Sequence, residues 1–324
     1  MKKALICGVS GQDGAYLAKL LLGKGYLVWG TSRDAQISSF ANLDRLDIRQ
    51  QVTLLSMAQS DFRSVLSTIS RSDPDEIYFL SGQSSVGLSF DQPAESIESI
   101  ALGTLNLLEA VRFLGRPVRV YHASSSECFG DVPLKARANE NTPFRPRSPY
   151  GVAKASAHWL IANYREAYGL YCCNGILFNH ESPLRPARFV TRKIVAAACR
   201  IAAGSDERLT LGRVDIVRDW GWSPDFVEAM WRMLQQDAPD DYVIATGESY
   251  SLEYFVETAF AQVELDWRSH VDIDPSLFRP SEIAYSAGNP EKAMKGLGWK
   301  AVVAFPDLIA NLVRAEQTLS VQNY

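Results

Sequence analysis

The most constraining feature of the sequence is a glycine-rich turn close to the N-terminus. A short apolar run from Ala4 to Cys7 precedes it, and a stretch with helical periodicity follows it. Glycines in this position permit a tight turn, let a diphosphate approach the backbone and seat the following helix on a sheet. The N–H groups at the start of that helix attract negative charge. The turn therefore predicts a dinucleotide site, with a glycine-rich turn that binds no ligand as the alternative; its residues are Gly8, Ser10, Gly11, Gln12, Asp13 and Gly14.

Short apolar runs continue to alternate with helical stretches over the first half of the chain. Such alternation is typical of βαβ units, in which a parallel sheet has both faces covered. We therefore predict an α/β fold of the Rossmann type, with a doubly wound parallel sheet over residues 1–180. After about residue 180 the alternation weakens, and we expect residues 181–324 to form a smaller substrate-binding part. The predicted strands are residues 4–7, 26–29, 52–55, 76–80 and 118–121, and the predicted helices are residues 14–23, 60–71 and 96–114.

The end of the second predicted strand bears on the choice between NADP and NAD. An acidic residue there binds the ribose hydroxyls of NAD, whereas an arginine accommodates the 2′-phosphate of NADP. The chain has Arg33 after Ser32, which favours NADP, and then Asp34, which argues mildly against it. NADP is the predicted cofactor, and NAD and plain solvated loop charges stay open.

Two further segments carry groups suited to catalysis. Tyr150 and Lys154 are four residues apart after Pro149, which marks a helix start, so both side chains lie on one helix face. A lysine ammonium next to a phenol is expected to lower the pKa of the tyrosine and make it a base. Ser125 and Glu127 follow the strand at residues 118–121, at the carboxyl edge where such sheets bind ligands. A helix surface and a polar loop are the plain alternatives.

Composition excludes several other classes of protein. The net charge of −4 and the pI of about 5.7 argue against a nucleic-acid binder. No apolar run is long enough to span a bilayer, and no cleavable signal is recognisable, so a cytoplasmic protein is expected. The five cysteines lack the paired spacing of metal sites, so we predict reduced thiols and no metal.

Taken in sequence order, these segments resemble the extended short-chain dehydrogenase/reductase family and, within it, the GDP-mannose 4,6-dehydratases. The resemblance covers nearly the whole chain, and the segments at residues 179–183 and 190–193 are much more specific than the glycine turn. The segments that carry it are residues 8–17, 123–127, 141–150, 174–183, 189–193, 218–221 and 278–282.

This resemblance implies an NADP-dependent lyase that catalyses an internal, redox-neutral dehydration. Tyr150, supported by Lys154, would take the proton from the sugar O4 as hydride leaves C4. Glu127 would remove the C5 proton and assist loss of the C6 hydroxyl as water, after which hydride returns to C6. Ser125 stands where the family has threonine and would hold O4. Glu127 distinguishes this reaction, since epimerases and reductases of the family need no base for C5.

The resemblance also assigns the GDP-linked sugar to residues mostly beyond position 178. Arg218 and Arg279 would meet the diphosphate, because a guanidinium pairs two oxygens at once. Surface ion pairs are the plain alternative for either arginine. The full set of implied substrate-binding residues is Ser85, Asn179, Lys193, Arg218, Arg279 and Glu282.

Three positions depart from the family pattern and leave alternatives open. Asp34 stands where a second arginine is usual, in a loop that also contacts a neighbouring subunit in the family. Ser56 and Met57 replace an acidic residue and its neighbour near adenine, and Arg213 replaces asparagine. A GDP-mannoheptose dehydratase, an epimerase or reductase of the same family, and a non-catalytic dinucleotide-binding regulator stay open. The resemblance implies a homodimer or homotetramer.

Overall fold

The computed structural model describes residues 1–321, in which seven parallel strands form one sheet. The strands lie in the order β11, β6, β5, β4, β1, β2, β3, so the chain runs outward in both directions from β1. Sheets with this order bind ligands at the carboxyl ends of the strands, where the direction of winding reverses. The strands are β1 Lys3–Cys7, β2 Leu27–Ser32, β3 Val52–Ser56, β4 Glu76–Phe79, β5 Arg119–Ser125, β6 Cys172–Leu177, β7 Asn179–Glu181, β8 Leu209–Leu211, β9 Val217–Arg218, β10 Trp220–Trp222, β11 Tyr242–Ile244, β12 Tyr250–Ser251 and β13 Val271–Ile273.

Helices cover both faces of this sheet, which confirms the predicted fold class. The predicted helix at residues 96–114 consists of a π-helical turn, Ile97–Leu102, followed by α6. The position of this helix was predicted correctly, but the π-helical first part was not. No helix within residues 1–321 has the length and apolarity needed to cross a membrane. The helices are α1 Gln12–Gly23, α2 Ala41–Arg45, α3 Phe62–Ser72, α4 Val86–Asp91, α5 Pro93–Ser96, α6 Gly103–Leu114, α7 Pro149–Tyr168, α8 Val190–Ala202, α9 Ser223–Met233, α10 Leu252–Ala261, α11 Glu291–Leu297 and α12 Phe305–Val321.

Strand β1 shows why both faces are covered. Ala4 and Ile6 belong to the core beneath α1 and α9, whereas Leu5 and Cys7 belong to the core beneath α3, α6 and α7. Successive side chains of a strand point to opposite faces, so a strand with four successive apolar residues must be buried on both faces. All four side chains are fully buried.

The chain after residue 180 has two structural roles. Helices α8, α10 and α12 build a second core around Trp220, Phe255 and Phe260. Strand β11 then returns to the main sheet and pairs in parallel with β6, and α9 packs on α1. The division at residue 180 stays a prediction, and the later part of the chain is interleaved with the sheet.

Candidate active site

The glycine turn lies at the carboxyl end of β1 and leaves no space for a side chain at Gly14. A Cβ atom on Gly14 would lie 2.7 Å from the Cα atom of Val9, closer than real Cβ atoms approach other atoms. Gly8 has a φ of +88°, in the left-handed region that glycine adopts without strain. Helix α1 begins at Gln12 directly after Gly11, so its free N–H groups face the turn.

This turn lines a cavity of about 1160 Å³, large enough for a dinucleotide. Two hydroxyl oxygens on its wall, Ser32 Oγ and Ser81 Oγ, are buried and have no hydrogen-bond partner within the described residues. Buried polar atoms are seldom left unpaired, so these two are suited to a polar ligand. The predicted cofactor residues on this wall are Gly8, Ser10, Gly11, Gln12, Asp13, Gly14 and Arg33. The residues present therefore fit a dinucleotide.

The loop after β2 contains the two charged residues, Arg33 and Asp34, that bear on the choice of cofactor. Arg33 lines the cavity, 81% exposed, and its guanidinium pairs with Glu95 at 2.9 Å. Asp34 instead accepts a hydrogen bond from the backbone N–H of Gln36 and closes a turn of its own loop. The hydroxyl of Ser56 accepts from the backbone N–H of Ala35, so this departure from the family pattern braces the same loop.

The four predicted catalytic residues converge on a second cavity of about 420 Å³, which adjoins the first. Ser125 ends β5, and its hydroxyl accepts a hydrogen bond from the backbone N–H of Glu127 in the following 3₁₀ turn. Tyr150 and Lys154 come from α7, whose start at Pro149 confirms the predicted helix start. A Cβ atom on Gly151 would lie 2.9 Å from the backbone oxygen of Glu127, so this glycine allows α7 to approach the Glu127 turn closely.

The prediction that Lys154 lowers the pKa of the Tyr150 phenol is wrong for the protein by itself. Burial raises the pKa of the Tyr150 phenol, and a hydrogen bond with Ser125 opposes this only in part. Burial also lowers the pKa of Lys154 to about 8, and its ammonium donates to the backbone oxygen of Ala123 at 2.6 Å. The lysine nitrogen lies 5.9 Å from the centre of the tyrosine ring, so desolvation outweighs its charge.

The surroundings of the Glu127 carboxyl suit a group that both takes up and gives up a proton. Burial raises the pKa of its carboxyl, while the positive charges of Arg218 and Arg279 act in the opposite direction. A carboxyl with a raised pKa is a stronger base when ionised and a better acid after it has taken up a proton.

The predicted diphosphate anchors lie in the same cavity and share one counter-ion. Arg218 and Arg279 donate to the same oxygen of Glu282, at 2.9 and 3.2 Å. Glu282, with its side chain 12% exposed, pairs with the two arginines and is not among the residues that line the cavity. The structure thus places Glu282 as a positioning partner of the arginines rather than on the cavity wall.

The other predicted substrate residues also line this cavity. Ser85 caps the start of α4, Asn179 begins β7, and Lys193 of α8 donates to the backbone oxygen of Thr210 at 2.7 Å. Arg213 pairs with the exposed Asp215 at 2.6 Å and is not among the lining residues, so this departure from the family pattern lies outside the cavity.

Sequence reasoning missed a polar cluster that ties the glycine turn to β7. Asp13 pairs with His180 at 2.8 Å and accepts a hydrogen bond from Ser223 at 2.8 Å. Gln12 donates to the backbone oxygen of His180 and accepts from Ser182 at 2.7 Å. Although burial opposes ionisation, His180 and its neighbours lower the pKa of Asp13 to about 2. Residues 179–183, which carry the family resemblance, were the available sequence signal. Nothing in the neighbouring sequence indicates that His180 pairs with Asp13.

A second buried network behind the catalytic helix gave no sequence signal. His158, one turn after Lys154, has its Nδ1 3.2 Å from the hydroxyl of Ser124. The Asp241 carboxylate pairs with Arg165 at 2.8 Å and accepts from the backbone N–H of Asn174. These contacts fix α7 against β5 and β6, and with it the Tyr150 and Lys154 side chains.

Comparison with known proteins agrees with this geometry. A family model described as GDP-mannose 4,6 dehydratase matches residues 5–312. The chain belongs to this family. It is 45% identical to GDP-mannose 4,6 dehydratase 1 of Arabidopsis thaliana, with 98% of this chain and 91% of that protein covered. It is 42% identical to the GDP-mannose 4,6-dehydratase of Vibrio cholerae, with 96% and 93% covered.

Solved structures confirm the fold. The UDP-glucose 4-epimerase of Thermus thermophilus, in complex with NAD, has a TM-score of 0.86 at 25% identity, covering 97% of this chain and 99% of that one. RMD from Pseudomonas aeruginosa, complexed with NADPH, has a TM-score of 0.81 at 21% identity, covering 98% and 100%. Both neighbours hold a nicotinamide dinucleotide.

Proposed function

We propose that this member of the family is an NADP-dependent lyase that converts GDP-mannose to GDP-4-keto-6-deoxymannose. The observation that carries the proposal is the position of Glu127, a buried carboxyl with a raised pKa, in one cavity with Ser125, Tyr150 and Lys154. Simple hydride transfer at C4 needs only the tyrosine, whereas an elimination across C5 and C6 needs a second acid–base group.

The residues of the glycine turn and Arg33 would hold the dinucleotide. When bound, NADP⁺ would supply the hydride acceptor for C4 and the hydride donor for C6, and its positive charge would favour the ionised form of the Tyr150 phenol. Two observations support NADP. The guanidinium of Arg33 pairs with the exposed Glu95, so a 2′-phosphate can compete for it. The Asp34 carboxylate accepts a hydrogen bond from Gln36 of its own loop, so it is engaged there rather than with a ribose hydroxyl. NAD stays the alternative.

The chain's own groups account for every proton in the reaction. The Tyr150 oxygen accepts the proton of the sugar O4, with the Ser125 hydroxyl holding that oxygen. The C4 ketone acidifies the C5 proton, which moves to the Glu127 carboxylate. Glu127 then gives that proton to the departing C6 hydroxyl, which leaves as water. As hydride reaches C6, C5 regains one proton, and the Tyr150 phenol that took the O4 proton is its source, which returns the tyrosine to its starting state.

The second cavity suits the diphosphate of a nucleotide sugar. Arg218 and Arg279 already lie together through Glu282, so a diphosphate meets two fixed cations instead of two mobile ones. Lys193 and Asn179 line the same cavity, and we assign Lys193 to the nucleotide and Asn179 to the sugar or its diphosphate. A GDP-mannoheptose substrate stays the alternative, since both sugars carry the same diphosphate.

The test is to incubate the purified protein with GDP-mannose and catalytic NADP⁺ and to assay the 4-keto-6-deoxy product. Product without net NADPH accumulation supports the dehydratase. A reductase would consume NADPH in proportion to product, an epimerase would form an isomer without loss of water, and a regulator would bind without turnover. Absence of product with cofactor bound would contradict GDP-mannose as the substrate, and GDP-mannoheptose is then tested.

Glu127→Gln tests the assigned base directly. The amide cannot take the C5 proton, so we expect dehydration to fall by at least about 100-fold, the lower end for general acid–base catalysis. NADP⁺ affinity is expected to stay unchanged. Glu253→Gln, at an exposed position of α10, is the matched control. Undiminished dehydration by Glu127→Gln would contradict the role assigned to Glu127.

The proposed enzyme also forms a homodimer or homotetramer. Large apolar side chains are exposed on two helices that pack against each other: Phe113 on α6, and Val152 and Trp159 on α7. Exposed apolar surface of this kind is typical of subunit contacts. Light scattering coupled to size-exclusion chromatography measures the subunit number, and a monomer would contradict the expectation.

A further inference from the structure

The two cavities meet at a short segment between β7 and α8. Arg185, Arg188 and Phe189 of this segment line both cavities. The segment belongs to the later part of the chain, whereas the glycine turn that lines the larger cavity comes from its beginning. A charged side chain on this segment therefore reaches the region where a bound dinucleotide and a bound nucleotide sugar come closest.

Arg188 differs from the other arginines that line the cavities. Each of the others pairs with a carboxylate, and these pairs are Arg33 with Glu95, Arg185 with Glu181, and Arg218 and Arg279 with Glu282. Among the residues that the structure describes, Arg188 has no carboxylate within ion-pair distance. Its full positive charge is therefore available to a ligand.

An aromatic ring supports this guanidinium in place of an acid. The Cζ atom of Arg188 lies 5.2 Å from the centre of the Phe189 ring, and that of Arg185 lies 4.0 Å from it. A cation over a ring face is attracted by the quadrupole of the ring without losing its charge. The arrangement holds Arg188 at the cavity wall and leaves its N–H groups to a ligand.

We propose that Arg188 binds the diphosphate of the nicotinamide dinucleotide. The assignment rests on the dinucleotide site of the proposed function. The glycine turn contributes N–H groups to this site but has no basic side chain between Gly8 and Gly14. Arg33 lies at the end of β2 and suits the ribose phosphate, while Arg218 and Arg279 serve the sugar nucleotide. Arg185 also lines both cavities, but its guanidinium is paired with Glu181. Arg188 is therefore the unpaired cation for a group with two negative charges.

The experiment measures binding, not turnover. Wild type, Arg188→Ala, Arg188→Lys and Arg208→Ala are titrated with NADP⁺, NAD⁺ and GDP separately, with tryptophan fluorescence as the readout. Arg208 is exposed, pairs with Asp272 and lies outside both cavities, so it is the matched control. Arg188 is itself exposed, so its replacement leaves the fold intact.

The alanine variant is expected to bind both dinucleotides about tenfold more weakly, as loss of a charge-assisted contact implies. The loss should shrink as ionic strength rises, and lysine should restore part of the affinity because it keeps the charge but not the fork. GDP affinity and the Arg208→Ala variant should be unchanged.

Four results would overturn the proposal. A loss confined to NADP⁺ would place Arg188 at the 2′-phosphate, and a loss confined to GDP would place it at the substrate. Unchanged affinity for all three ligands would make Arg188 a solvated surface residue. If the wild type bound neither dinucleotide, the proposed function would fail together with this assignment, whereas binding by wild type with no effect of Arg188→Ala overturns this assignment alone.

Discussion

The pair formed by Asp13 and His180 offers a quantitative test of how the glycine turn is held. In Asp13→Asn the side chain keeps its shape and loses its charge. The pKa of Asp13 is lowered from 3.8 to about 2, and its side chain is 24% exposed. One pKa unit corresponds to about 1.4 kcal/mol, so the ionised carboxylate stabilises the folded state by about 2 kcal/mol.

The dependence of this stabilisation on pH follows from the lowered pKa of Asp13 and the raised pKa of His180. Asp13 has a depressed pKa when folded, so its contribution is present above about pH 3.8 and is lost as the pH falls towards 2. Although burial lowers it, the charge of Asp13 and a hydrogen bond with it raise the net pKa of His180 above 6.5. The histidine contribution is therefore complete below pH 6.5 and is lost as the pH rises through the folded pKa. The cost of Asp13→Asn should be greatest near pH 5 and smaller at pH 8.

Urea unfolding monitored by tryptophan fluorescence at pH 5 and pH 8 measures this cost. Asp13→Asn, His180→Asn and the double variant form a double-mutant cycle, in which the coupling free energy should follow the same pH dependence. Asp215→Asn removes an exposed ion pair and should cost less than about 1 kcal/mol. Equal costs at both pH values, or wild-type stability of Asp13→Asn at pH 5, would refute the reasoning.

Two other substitutions test the dinucleotide site. Gly14→Ala places a Cβ atom 2.7 Å from the Cα atom of Val9, so we expect a loss of about 1–3 kcal/mol of stability together with weaker NADP⁺ binding, measured by urea unfolding and fluorescence titration. Gly23→Ala, at the open end of the same helix, is its control and should not destabilise; equal losses in both would contradict the steric argument. Arg33→Ala should weaken NADP⁺ and leave NAD⁺ affinity unchanged in the same titration, and an equal loss for both would remove Arg33 from the 2′-phosphate.

The sequence by itself determined the features that depend on neighbouring residues. An apolar strand, a glycine turn and a helix start follow one another within about 12 residues, and the steric demand for glycine at position 14 is local. Tyr150 and Lys154 share a face because a helix turns once every 3.6 residues. These local rules were sufficient to predict the fold class and to select four candidate catalytic residues, which the structure brings to one cavity.

The sequence was insufficient where short strands lack a distinctive period. Strands β6 and β11 were not predicted, although they form one edge of the sheet. Strand β11 has only three residues, and its place beside β6 is decided by a pairing between segments about 67 residues apart. Such pairings depend on the packing of the whole sheet and leave no local trace.

Only the tertiary structure decided the electrostatics of the site. Asp13 and His180 are 167 residues apart in the chain, and Glu282 reaches Arg218 across 64 residues. The spacing of Tyr150 and Lys154 predicts that the lysine lowers the pKa of the tyrosine, yet burial raises it. The charge of a group in a protein depends on how much water surrounds it and on which distant charges approach it, and both are set by the folded chain.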